Sequence, residues 1–229
     1  MTVDFPDETV IANEIMAERS DDLLFDEAER SALADEIREI VDQIRELEPR
    51  LESIGPPPHS PYISMPLRGD AAEVFLDRAH TTSAKFSASR TGQIDIDALS
   101  QTLGARAFLI NVHLPTQSVD VRICQSSLVN TPVAVAAYED LESTEFAEAD
   151  VFGGDSSAFN MRQFDDRWYV VFREGGGDCL VGCTTEDLWF FIVDGDELDE
   201  VGEEEAARDQ HFAEVVALAR WARPDAEWP

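Results

Sequence analysis

Between residues 26 and 54 the apolar side chains Leu33, Ile37, Ile40, Ile44, Leu47, Leu51 and Ile54 recur at alternating steps of four and three, the seam spacing of a coiled coil. Pro49 interrupts the stripe, because a proline inside a helix removes a backbone bond and clashes with the preceding turn. Val41 widens it. A wide stripe on a short helix suits docking on the chain's own domain, while the heptad spacing suits pairing with another chain. Both remain as expectations. A shorter helix is expected over residues 11–24, with a break at Ser20, Asp21 and Asp22, which makes the N-terminal quarter a helical arm or hairpin. Gly55, Pro56, Pro57, Pro58 and Pro61 then read as a stiff, extended spacer. The chain therefore divides into an acidic helical arm at 1–54, a spacer at 55–61 and a globular domain at 62–229.

Beyond the spacer, Asp70 is placed to cap a helix running to about His80. Asp95 or Asp97 opens a short helical turn that ends at Gly104. Strands are expected over 107–114 and 119–125, joined by the turn Pro115, Thr116, Gln117 and Ser118. Val119, Val121 and Ile123 alternate with Asp120, Arg122 and Cys124, so one face of that strand is buried and the other wet. Thr131 and Pro132 open a helix toward Leu141, with a strand as the alternative because Val133 and Val135 alternate, and the acidic stretch 139–157 reads as a surface connection.

The second half carries denser strand signals, over 159–164, 167–173, 179–184 and 188–193. Trp168, Val170 and Phe172 share one face, and residues 174–178 make a glycine-rich hairpin loop. The run Leu188, Trp189, Phe190, Phe191, Ile192 and Val193 is apolar on both sides, as in a central strand covered on both faces. A short helix capped by Thr184 and Asp187 is the alternative. A final helix spans 203–223, with Glu203, Glu204 and Glu205 at its positive end, Arg220 and Arg223 at its negative end, and Pro224 as its stop. Phe212, Val215, Val216 and Ala219 form its inner face. The fold class is α+β: the helical arm, then a two-layer sandwich with a mostly antiparallel sheet and a C-terminal amphipathic helix.

Charge changes the picture more than any motif. The 229 residues hold 48 acidic and 17 basic side chains, a net charge of -31, and the only lysine is Lys85. At about 0.15 M salt the Debye length is about 8 Å, so this many like charges would loosen the compact state, whereas at molar salt it falls to about 3 Å. High charge with few apolar residues would instead mean disorder, but 44% of this chain is apolar and the acids lie within periodic segments. The expectation is a soluble, salt-adapted cytoplasmic protein with hydrated inorganic cations on its surface. Cys124, Cys179 and Cys183 are too few and odd in number for a disulfide framework. No apolar run approaches the roughly 20 residues of a membrane span, and no leader is recognised.

Candidate chemistry is sparse. Cys179 and Cys183 on one strand would stand about 13 Å apart, too far to share a metal, and His59, His80, His113 and His211 are scattered. Gly175, Gly176 and Gly177 precede a strand rather than the helix that a phosphate loop requires. Asp194, Gly195, Asp196 and Asp199 form an acidic turn without the spacing of the twelve-residue calcium loop. Arg162, Arg167 and Arg173 are flanked by acids, so direct nucleic-acid binding is disfavoured. No catalytic residue, metal site or cofactor is expected. The leading functional expectation is a non-enzymatic interaction or regulatory module, with a protein partner or self-association through the seam Leu33, Ile37, Ile40, Ile44, Leu47 and Leu51. Alternatives are a small-molecule-binding domain or enzyme with its site on the sheet near Trp168, Tyr169 and Trp189, and a structural component of a virus of a salt-adapted host.

Overall fold

A computed structural model describes residues 6–57, 62–76, 83–105, 107–113, 115–126, 128–149, 157–176 and 185–218. The fold is α+β with antiparallel sheets, and the chain forms two compact units. The first takes residues 1–4, 16–30 and 60–151, and the second 5–15, 31–59 and 152–229.

Helix α1 (Asp7–Arg19) begins and ends earlier than the apolar pattern suggested. Asp7 and Glu8 lie at its positive end, and the Ser20 hydroxyl bonds Asp22, turning the chain out of the helix. Helix α2 (Glu27–Leu47) opens on Asp26, whose Oδ1 accepts the N–H groups of Ala28 and Glu29. Pro49 stops it, and a 3-10 turn follows over Pro49–Ser53.

The first unit holds β1 (Tyr62–Pro66), α3 (Gly69–Leu76), β2 (Ser83–Ala88), α4 (Ile94–Thr102), β3 (Ala107–His113), β4 (Ser118–Cys124), α5 (Thr131–Glu139) and β5 (Glu148–Ala149). These strands make one sheet in the order β2-β3-β4-β1-β5. One face is apolar: Ile63, Met65, Phe108, Ile110, Val112, Val119, Val121 and Ile123 pack against α3, α4 and α5 through Phe75, Ile96, Ala134 and Tyr138. Each such side chain contributes about 1.5–3 kcal/mol on burial. Within this core the Ser100 and Tyr138 hydroxyls bond at 2.9 Å. Strands β1, β2 and β5 were not expected from pattern; β5 lies inside the stretch read as a surface connection.

The second unit holds β6 (Ala158–Phe164), β7 (Arg167–Gly176), β8 (Thr185–Asp194), β9 (Glu197–Val201), α6 (Glu203–Ala206) and α7 (Gln210–Leu218). Its four strands form a meander. The β6–β7 turn uses Asp165 and Asp166, both at positive φ, as its tight geometry requires. Residues 188–193 are strand, not helix, within β8. Glu174, Gly175 and Gly176 are also strand, paired to Asp187, Glu186 and Thr185, which corrects the expected loop at 174–178. At Gly176 an added Cβ would lie 2.9 Å from the Thr185 hydroxyl, so the glycine serves close strand approach. The expected terminal helix is broken in two, because Asp209 Oδ1 accepts the His211 N–H and caps a new helix start.

Both faces of this second sheet carry buried apolar side chains. Phe159, Met161, Trp168, Val170, Phe172, Phe191 and Val193 share one face by register. Helix α2 lies over it, with Glu36 Oε1 accepting the Trp168 indole N–H at 2.8 Å and the Arg45 guanidinium 5.8 Å from the Phe159 ring. On the opposite face Tyr169, Val171 and Phe190 pack on Ala206, Phe212 and Val215. Residues 58–61, 179–184 and 219–223, where part of the spacer, one expected strand and the end of the last helix were placed, lie outside the described residues.

Candidate functional site

Helix α2 presents Leu33, Ile37, Ile40 and Ile44 inward, and Leu51 follows them in the 3-10 turn; all five are buried. Leu47, the last residue of α2, is 54% exposed. Polar contacts accompany the packing. The Arg45 guanidinium donates to the Ile54 carbonyl at 2.8 Å, and Arg38 bridges Glu8 at 2.6 Å.

The aromatic residues of the alternative site are not brought together. Trp168 and Trp189 share a sheet face but sit four register positions apart on it, about 13 Å by strand rise, while Tyr169 points to the other face. Trp168 is buried, and the Trp189 ring lies under Arg50, 5.2 Å from its guanidinium carbon. Burial pushes the Tyr169 hydroxyl above its ordinary value, with Asp209 adding to the shift and Arg167 opposing it. Arg162, Arg167 and Arg173 do not merge into a basic patch. Arg167 pairs with Asp194 at 2.8 Å, Arg173 with Glu186 at 2.8 Å, and Arg162 approaches Glu14 at 3.9 Å. Asp194 thereby spends its charge on an arginine, at the turn read as a possible cation site. Cys179, Cys183, His59 and His80 lie outside the described residues, and among the described residues no three His, Cys, Asp or Glu converge as a metal site.

A buried polar cluster at β6 has a structural explanation. An edge strand exposes unpaired backbone groups that template association with other chains. Here the outward N–H of Phe159 donates to the Gly55 carbonyl, and that of Met161 to Asn160 Oδ1. The outward carbonyl of Met161 accepts from Arg162 Nη1, which also donates to Asn160 Oδ1. Asn160 and Arg162 close the edge of their own strand. The other edge, β9, together with the end of β8 and the turn before it and α6 after it, holds eight exposed acids, Asp194, Asp196, Glu197, Asp199, Glu200, Glu203, Glu204 and Glu205, and no base lies between residues 194 and 206.

The face that stands apart is the outer face of the first unit's sheet. Register places Lys85, Asn111 and Asp120 side by side on β2, β3 and β4. The next row holds Ser87, Leu109, Arg122, Ser64 and Glu148, and His113 Nε2 lies 3.6 Å from Asp120 Oδ2. The strand residues of this face thus include two bases, Lys85 and Arg122, against two acids, Asp120 and Glu148. By sequence the first unit carries 19 acids and 8 bases, net -11, and the second 29 and 9, net -20. The described strand residues of this face are therefore balanced in charge, although both units are acidic by sequence. Leu109 and Asn111 at its centre are half-buried, while Lys85 and Arg122 are exposed. Cys124, expected on the wet side, is buried at the strand's end.

The alternation in β4 signalled half of this site. Asn111 lay within the expected strand 107–114, but its neighbour Lys85 carried no local signal, because β2 was not recognised as a strand. Among the described residues no helix is long and apolar enough to cross a membrane. No protein-family model, curated protein or solved structure matches this chain.

Proposed function

We propose that the chain is a salt-adapted, non-enzymatic interaction module that engages a protein partner through the outer face of the β2-β3-β4-β1-β5 sheet. The observation that carries this reading is the charge balance of that face, two bases to two acids, in a chain of net charge -31. Surface that must stay hydrated in concentrated salt keeps its excess carboxylates, and surface that docks loses them, since interface cores are depleted in Asp and Glu. The heptad seam of α2 is not the proposed docking surface. Its apolar residues face the second unit's own core, so association is assigned to the sheet face rather than to the seam.

Photo-crosslinking tests the reading. A photoreactive residue at Leu109 of the full chain, activated in cell extract at molar KCl, should give a discrete adduct band. The same residue at Glu214, exposed on α7, should give none. Equal labelling from both positions, or none from either, would refute an interaction face.

A further inference from the structure

We infer that the occupant of this face is a second copy of the chain, docked about a two-fold axis that runs along β3. This rests on the reading of the face as an interaction surface. A two-fold interface must be self-complementary, each patch meeting its own image. The register supplies that property. Lys85 on β2 and Asp120 on β4 flank Asn111 on β3 in one row, and each lies about 4.8 Å to either side of it.

Rotating a copy by half a turn about an axis along β3 exchanges the two sides. Lys85 of one copy then lies over Asp120 of the other, and the reciprocal pair forms as well. Leu109 of one copy meets Leu109 of the other, giving an apolar contact beside the paired charges. Packed sheets stand about 10 Å apart, a gap that a lysine and an aspartate span together. An axis over β4 would instead stack Asp120 on Asp120 and Arg122 on Arg122, so the charges select β3. No other partner need carry a matching pattern, whereas a second copy carries it by construction.

Five strands about 4.8 Å apart and at most seven residues long span roughly 500 Å² of sheet, below the about 800 Å² per partner of a standard interface, so a weak dimer is expected. Its formation also requires that the repulsion between two chains of net charge -31 be screened. Association therefore strengthens as KCl rises from dilute to molar.

Sedimentation of the full chain in molar KCl tests this with Lys85→Asp and Asp120→Lys. Both positions are surface positions, and circular dichroism verifies that each variant is folded. Each variant alone should self-associate at least about tenfold more weakly than the parent chain. An equal mixture of the two should recover the association. In the mixed dimer the first variant contributes acids at both positions of the row and the second contributes lysines at both, so each facing pair again joins opposite charges. Unchanged association in the single variants, or a mixture no stronger than its components, overturns the two-fold arrangement. The Leu109 photo-adduct separates the two readings. A product of twice the chain's mass supports the second copy; an adduct to a different protein, with a monomer in sedimentation, overturns the second copy and leaves the interaction face standing. Absence of any adduct overturns both.

Discussion

The two sheets of this protein solve the same problem in opposite ways. The first unit's sheet buries one face under α3, α4 and α5 and leaves the other polar. The second unit's sheet buries both, one under α2 and one under α6 and α7. The difference is written in side-chain alternation: β4 alternates apolar with polar, whereas β7 is buried continuously from Trp168 to Arg173. Their edges are also blunted by different means. The first unit ends on a strand carrying the chain's only lysine and on a two-residue strand, the second on a side-chain-capped strand and an acidic one. The comparison teaches that excess carboxylate is distributed, not uniform. Among the described residues it gathers around the sheet covered on both faces and is balanced by bases on the polar face of the first unit's sheet.

Salt removal tests that contrast most strongly. Lowering KCl from molar to about 0.1 M lengthens the Debye length from about 3 Å to about 10 Å. The second unit, with net charge -20 against -11, should lose hydrogen-exchange protection first. Protection lost equally in β4 and β7 would break the contrast. Next in size is a matched pair of truncations. Phe190→Ala, in the sealed sheet where the ring is 1% exposed, should cost about 3–5 kcal/mol in denaturant unfolding. Leu109→Ala, on the open face, should change stability by less than about 1 kcal/mol.

Alkaline pH acts on the first unit. Burial pushes the Tyr138 hydroxyl from 10.0 up to about 12, with the Ser100 hydrogen bond opposing it. The folded state thus holds this proton more tightly than the unfolded chain. Its contribution is complete below pH 10, is lost as pH rises through the folded value near 12, and amounts to about 2–3 kcal/mol. Unfolding measured between pH 9 and 12 should show this loss, and Tyr138→Phe should remove it. A smaller effect is expected at the capped edge. Asn160→Ala leaves the buried Met161 N–H without its acceptor and should cost about 1–3 kcal/mol. The smallest is Asp209→Ala, which removes the α7 cap for about 1 kcal/mol.

By itself the sequence determined the elements whose signals are local. The apolar stripe of α2 and its interruption at Pro49, the alternation of β4, and the two-sided apolar run of β8 could be read directly, because helix and strand periods repeat within a few residues; the Asp26 cap emerged only with the structure. The α+β class follows from them. Tertiary structure decided what depends on distant partners. Strands β1 and β2 exist because β4 and β3 pair with them, since the short segments Tyr62–Pro66 and Ser83–Ala88 bury too little to stand alone. Gly175 and Gly176 became strand because Glu186 and Thr185 lie opposite. The seam of α2 turned inward because Trp168, Phe159 and their neighbours offered an apolar sheet to cover. The balanced row Lys85, Asn111 and Asp120 is likewise a product of register. Sequence chose these side chains, but only backbone hydrogen bonds between separate strands set them side by side.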